Sequence, residues 1–283
     1  MAKIVDGKLI ANEILSKVLV DIKKLKKLNK TIRLAVIVVG FNHASEIYIK
    51  NKIKTCEKLK IELKKISLND TISQNEINQE INKLNNDKTI NGIIVQLPLP
   101  QQLNEIQICN LINPYKDVDG FCSINAGKLF LNLPGIRPCT PAGIMKMLEY
   151  EKIDVAGKNC VIIGKSNIVG KPLALMLLNK RATVTICNSK TNNLKHFVKN
   201  ADILFSAVGK INLITGKMIK PGAVIVDVGI NRLKNGKICG DVNFDEVKQH
   251  ASIITPVPGG VGPLTVAMLM YNVVKATKLQ MNI

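Results

Sequence analysis

Continuous apolar runs rich in Val and Ile recur along this chain, separated by stretches with helical spacing. "RLAVIVVG" (33–40) is a continuous apolar run with four β-branched residues in a row and closes on glycine, the pattern of a parallel strand buried on both faces. Before it, Ile10, Ile14, Leu15, Val18, Leu19, Ile22 and Leu25 predict a helix over 8–28. After it come a predicted helix from about 44 to 60, strand "ELKKISL", a helix near 73–85 and strand "NGIIVQLPLP". This βαβαβ order with short connections predicts an α/β domain with parallel strands.

Residues 113–140, "NPYKDVDGFCSINAGKLFLNLPGIRPCT", are Pro/Gly-rich and weakly periodic, and read as loop and linker. "TPAGIMKMLEYE" opens a helix with Thr140 as its N-cap and Pro141 at the first helical position. Strands are then predicted at 159–164, "ATVTIC", "ADILFSAV", "GAVIVDVGI" and "SIITPV", with helices at 171–180 and 191–199. Short strands alternating with helices describe a second, doubly wound sheet. "TVAMLMYNVVKATKL" adds a last amphipathic helix.

Composition narrows the class. A length of 283 residues allows one large domain or two ordinary ones. No apolar run approaches the roughly 20 residues that a bilayer requires, and "MAKIVDGKLIANEIL" lacks the core of a signal peptide. A soluble cytoplasmic protein is expected. The seven cysteines are odd in number and never spaced CxxC, which argues against a disulfide framework and a structural zinc. His43, His196 and His250 are isolated from one another, so no metal is expected. The net charge of 40 − 21 = +19 fits a nucleic-acid binder. However, the lysines are scattered among Ile and Asn, without an aromatic-basic motif, so neither nucleic acid nor membrane is expected as a partner.

The connection "GKSNIVGKP" (164–172) lies between the apolar run "NCVII" and "LALMLLN". It departs from the dinucleotide fingerprint G-x-G-x-x-G: Ser166 replaces the second glycine and Gly170 comes one residue late. Gly164 permits a tight turn, Gly170 permits close helix–strand packing, and the helix N-terminus attracts an anion. At the next strand end, "ICNSKT" carries Ser189 and Lys190 and no carboxylate for a ribose 2′-OH. Together with Lys165 this favours a 2′-phosphate, hence NADP. The turn alone also admits a purely structural reading.

The ordered series "YIKNK" (48–52), "VQLPLP" (95–100), "KDVDGF" (116–121), "RPCTPAGI" (137–144), "GKSNIVGKP", "DVGIN" (227–231), "GDVNF" (240–244) and "TPVPGGVGPLT" (255–265) resembles the bifunctional methylenetetrahydrofolate dehydrogenase/methenyltetrahydrofolate cyclohydrolase family. The resemblance covers essentially the full chain. It implies a folate-binding domain at 1–139, completed by a C-terminal helix at 265–283, and a Rossmann-like NADP domain at 140–264 facing it across a cleft. It implies NADP-dependent oxidation of 5,10-methylenetetrahydrofolate followed by hydrolysis to 10-formyltetrahydrofolate, in a homodimer.

The resemblance also assigns residues. Lys52 matches the catalytic lysine, Gln96 the amide that orients it, and Tyr48 lies one helical turn before Lys52. A lysine shielded from water can act as a base near neutrality. Asp119, rather than nearby Asp117, matches the carboxylate that grips the pterin. Gly259, Gly260 and Pro263 fall in the loop at the folate and nicotinamide. Gly164, Lys165, Ser166, Ile168, Gly170, Ser189 and Ile230 fall on the cofactor side. Lys165, Asn188 and Leu264 depart from the Arg, His and Met common in the family. Competing readings are a dehydrogenase-only or cyclohydrolase-only member, and another NAD(P)-linked two-domain dehydrogenase.

Overall fold

The structure, a computed structural model, describes residues 1–40, 43–233 and 235–283, and for 43–48 the backbone alone. Down the chain run β1 (Lys3–Ile4), α1 (Gly7–Lys27), β2 (Arg33–Val39), α2 (His43–Leu59), β3 (Glu62–Leu68), α3 (Gln74–Asn86), β4 (Gly92–Val95), α4 (Glu105–Leu111) and α5 (Ser123–Phe130). There follow α6 (Cys139–Tyr150), β5 (Asn159–Ile163), α7 (Gly170–Leu178), β6 (Thr183–Cys187), α8 (Leu194–Lys199), β7 (Ile203–Ser206) and β8 (Val224–Asp227). β9 (Asn231–Arg232), β10 (Ile238–Cys239), α9 (Phe244–Val247), β11 (Ile253–Ile254) and α10 (Val261–Gln280) complete it. The elements form two compact units, Glu13–Cys139 with Val266–Ile283, and Met1–Asn12 with Thr140–Thr265.

The first unit is built on a three-stranded parallel sheet in the order β3-β2-β4. Leu34 to Ile37 of β2 are all buried, as their unbroken apolar run requires. Ile77, Ile81 and Leu84 of α3, at helical spacing, pack into the same core as Ile37 and Ile93. A reciprocal cap between Ser73 and Glu76 starts that helix. β4 is shorter than the sequence suggests, because Pro98 and Pro100 have no N–H for a ladder. Asn272 of α10 donates to the Val118 carbonyl (2.9 Å) and the Arg137 carbonyl (2.8 Å), pinning the 113–138 segment.

That segment is not all loop. It contains α5, whose eight residues and internal Gly127 leave too little periodicity to read. Cys122 caps it through its sulfur, and buried Asn125 faces inward.

The second unit carries a six-stranded parallel sheet in the order β1-β11-β8-β7-β5-β6. Its outermost strand, β1, pairs Lys3 with Ile253 and Ile4 with Ile254. By their contacts residues 1–12 group with this unit; two residues of strand carry no readable period. β5 has β6 on one side and β7 on the other, so the strand order reverses there, the place where such sheets bind ligands. α6 starts at Cys139, so Thr140 lies inside its first turn and does not cap it. Its hydroxyl lies 2.9 Å from that of Thr265 instead. α10 likewise starts at Val261, ahead of the predicted 265. All seven cysteines are free thiols. Among the described residues no helix is long and apolar enough to cross a membrane.

Candidate active site

The 164–170 turn sits at the carboxyl end of β5, at the reversal. Gly164 has φ +121°, and a Cβ there would meet the Ala207 carbonyl oxygen at 2.4 Å. A Cβ on Gly170 would lie 2.0 Å from the Gly164 carbonyl oxygen. Both glycines are thus required by backbone approach. Ser166 closes the turn: its Oγ accepts the N–H of Val169 (3.1 Å) and of Gly170 (3.4 Å). The hydroxyl proton remains available to donate to an anion. Lys165 and Ile168 are exposed on the turn, and Ser189 and Lys190 are exposed beyond β6 on the same sheet edge. The Gly164 N–H donates to the Cys187 carbonyl (2.9 Å), which draws the two strand ends together. Glycine cradle, hydroxyl, two lysines and helix N-terminus together fit a dinucleotide's phosphates.

In the three-stranded unit, Lys52 projects from α2 and its Nζ donates to Gln96 Oε1 at 3.0 Å. Gln96 stands just past β4, its Nε2 donating to the Leu97 carbonyl (2.8 Å) and its backbone N–H to the Ile37 carbonyl (2.9 Å). With its amide nitrogen so held, the oxygen is the atom turned to Lys52. Tyr48 is on α2 as well, but its side chain lies outside the described residues.

The two carboxylates of "KDVDGF" are not equivalent. Asp117 accepts the N–H groups of Gly120 (2.9 Å), Phe121 (3.2 Å) and Cys122 (2.9 Å), and the Asn125 amide (2.9 Å). It builds the loop and is fully buried. Among the described residues Asp119 has only a distant thiol, Cys139 Sγ at 4.0 Å, and one edge of the residue stays accessible. Burial pushes its carboxyl up to about 6, with Lys52 pulling it down and Asp117 pushing it up. Asp117→Ala would strand four donors, and is expected to cost about 3 kcal/mol or more of stability in chemical denaturation. Asp119→Ala is expected to cost far less.

The "PVPGGVGPLT" loop belongs to the six-stranded unit. Gly259 has φ +105° with open space beside its Cα, whereas Gly260 is wedged against Pro256 and Thr255. Pro263 lies in the first turn of α10. Ile230 follows β8 and is exposed. Sequence reading passed over three groups that organise these sites: Asn272 and Cys139 around the Asp119 loop, and the buried pair Asp227 and Asp241. The signal for the last was visible, an aspartate close to a glycine in both "DVGIN" and "GDVNF".

A doubly wound sheet with an anion turn at its reversal, together with a lysine–amide pair and a carboxylate that meets only a distant thiol among the described residues, fits a nucleotide-linked enzyme equipped for proton transfer. Residues 5–119 match the catalytic-domain model of the tetrahydrofolate dehydrogenase/cyclohydrolase family, and residues 138–281 match its NAD(P)-binding domain. The chain belongs to that family. It is 49% identical over 279 residues to the bifunctional protein FolD of Acetivibrio thermocellus, covering 99% of this chain and 98% of the relative. A crystal structure of the bifunctional FolD dehydrogenase/cyclohydrolase of Campylobacter jejuni superposes with a TM-score of 0.97 at 48% identity, over 99% of this chain and 100% of that one. The Trypanosoma brucei enzyme, solved with NADP cofactor and inhibitor, gives a TM-score of 0.95 at 32% identity, covering 100% of this chain and 99% of that one.

Proposed function

We propose that this chain oxidises 5,10-methylenetetrahydrofolate to the methenyl cation with NADP and then hydrolyses the cation to 10-formyltetrahydrofolate. The observation that carries the reading is the Lys52–Gln96 pair in the same unit as Asp119, whose carboxylate meets only a distant thiol among the described residues. NADP, when bound, supplies the hydride acceptor. Gly164, Ser166, Gly170 and the α7 N-terminus hold its diphosphate, Lys165 and Ser189 its 2′-phosphate, and Ile168 and Ile230 apolar parts of the nucleotide. Asp119 accepts paired N–H donors of the pterin, and Gly259, Gly260 and Pro263 form backbone against a flat ring.

Hydride loss needs the rings held face to face, which is a matter of positioning. In the second step water adds to the methenyl carbon and gives up a proton to Lys52 Nζ. That group carries a proton to N5 as the C–N5 bond breaks. One proton is released overall. Gln96 Oε1 fixes the amine on the line of approach. Tyr48 assists from the neighbouring turn of α2. We further propose a cytoplasmic homodimer that binds folates, with no nucleic acid or membrane partner.

The test is direct. Protein mixed with 5,10-methylenetetrahydrofolate and NADP+ should form NADPH with no methenyl absorbance building up. Reduction of NAD+ alone would overturn the roles of Lys165 and Ser189. No turnover with either cofactor would sink the assignment.

Asp119 sets a pH dependence. Its carboxyl titrates near 6, so the ionised acceptor is lost as pH falls through that value. The KM for the folate is expected to rise about tenfold per pH unit below 6, and to lose this slope in Asp119→Asn. A flat wild-type profile between pH 5 and 7 would exclude Asp119 from pterin binding.

A further inference from the structure

Two buried carboxylates in the six-stranded unit hold one another's loops. Asp227 ends β8, and Asp241 follows β10. The Asp227 carboxylate accepts the N–H groups of Gly229 (2.9 Å), Asp241 (3.0 Å) and Val242 (2.9 Å). On Asp241, Oδ2 accepts the Ser206 hydroxyl (3.0 Å) and the Val208 N–H (2.9 Å). Its Oδ1 accepts the Lys210 N–H (2.8 Å) and the Asn231 side-chain amide (3.1 Å). Two glycines make room for the clasp. A Cβ on Gly229 would lie 2.1 Å from Asp241 Oδ1, and one on Gly240 would lie 1.9 Å from Asp227 Oδ2.

The segments so fixed leave the carboxyl ends of adjacent parallel strands, where Ser206 of β7 pairs with Asp227 of β8. They present apolar side chains to solvent, Val208 at 41% exposure on one and Ile230 at 47% on the other, with Ile211 exposed just beyond Lys210. Val208 is held by its own N–H and by that of Lys210. Ile230 is held on both sides, through Gly229 to Asp227 and through Asn231 to Asp241. Exposed β-branched side chains on loops this tightly tied, at the ligand-binding end of a doubly wound sheet, suit a flat ring laid on them.

We propose that Asp241 is a positioning residue for hydride transfer, its carboxylate setting Val208 and Ile230 as the apolar floor for the nicotinamide ring. The inference rests on the dehydrogenase reading above and deepens it. The charge and shape of Asp241 are specific to the task. An asparagine would put an NH2 where one oxygen accepts two donors: in one rotamer it faces the Lys210 N–H and the Asn231 amide and loses both bonds, and in the other it loses the Val208 N–H while the Ser206 hydroxyl can turn to accept.

The test compares wild type with Asp241→Asn for binding of NADP+ and of 2′-phospho-ADP-ribose, which lacks the nicotinamide. NADP+ is expected to bind roughly tenfold more weakly to the variant, the scale of one lost apolar contact, while the fragment binds as before. Dehydrogenase kcat should fall about 10- to 100-fold, the cost of ångström-scale misplacement. The deuterium isotope effect on hydride transfer should rise, and cyclohydrolase activity on methenyltetrahydrofolate should stay. Equal weakening of NADP+ and fragment, or an unchanged kcat and isotope effect with only a lower Tm, would make Asp241 merely structural and overturn the proposal. Should Asp241→Asn not fold, Ser206→Ala removes one donor and is expected to give the same pattern at smaller size; an unaltered NADP+-to-fragment ratio there overturns it equally. Wild type that binds neither probe would instead overturn the dehydrogenase reading, and this inference with it.

Discussion

Lys52→Met is expected to lower the cyclohydrolase rate by about 10²- to 10⁴-fold, the range for removing a general acid–base group. Methionine keeps the length and apolar stem of the side chain, so the variant should fold with nearly unchanged stability. What it loses is the amine that Gln96 Oε1 holds at 3.0 Å. With 5,10-methylenetetrahydrofolate and NADP+, the variant should accumulate methenyl absorbance where wild type does not. Gln96→Ala should fall between the two, because it leaves the amine present but unoriented. A Lys52→Met protein that hydrolyses the methenyl compound at the wild-type rate would remove Lys52 from the mechanism.

Gly170→Ala is the second large effect expected. The added methyl would sit 2.0 Å from the Gly164 carbonyl oxygen, a backbone atom that cannot turn aside. Relief requires the turn to open and α7 to shift, at a stability cost of about 1–3 kcal/mol. The same shift breaks the Ser166 bonds to Val169 and Gly170. The kcat/KM for NADP+ is therefore expected to drop about 10²-fold, while hydrolysis of supplied methenyltetrahydrofolate persists. Normal NADP+ kinetics in a folded variant would mean that the phosphates are held elsewhere.

The two α/β units were legible because long strands such as β2 are buried on both faces and have unbroken apolar sequences. β1 and α5 escaped, since two residues of strand, or eight of helix with a glycine inside, are too short for a period to declare itself. Lys52 illustrates a different limit. On helical spacing it is one lysine among many, and only the ordered motifs single it out. The carboxylates of "KDVDGF" split by hydrogen-bond count, a property of folded neighbours that no spacing reveals. Among the described residues Asp117 meets four donors and Asp119 only a distant thiol. Thr140 looked like a helix cap from its local sequence, but its partner, Thr265, is far along the chain.

The interleaving of the two units bears on how the chain matures at the ribosome. The six-stranded unit needs residues 1–12 beside 140–265, so its edge strand must wait until β11 has been synthesised. Most of the three-stranded unit, residues 13–139, is made first, yet that unit finishes later. Its loop around Asp119 is pinned by Asn272, and α10 ties further to it through Lys278 with Asp21 and Gln280 with the Asn91 and Tyr115 carbonyls. A nascent chain halted before residue 266 would therefore hold a nucleotide-binding unit with all its parts and a lysine site still missing its last support.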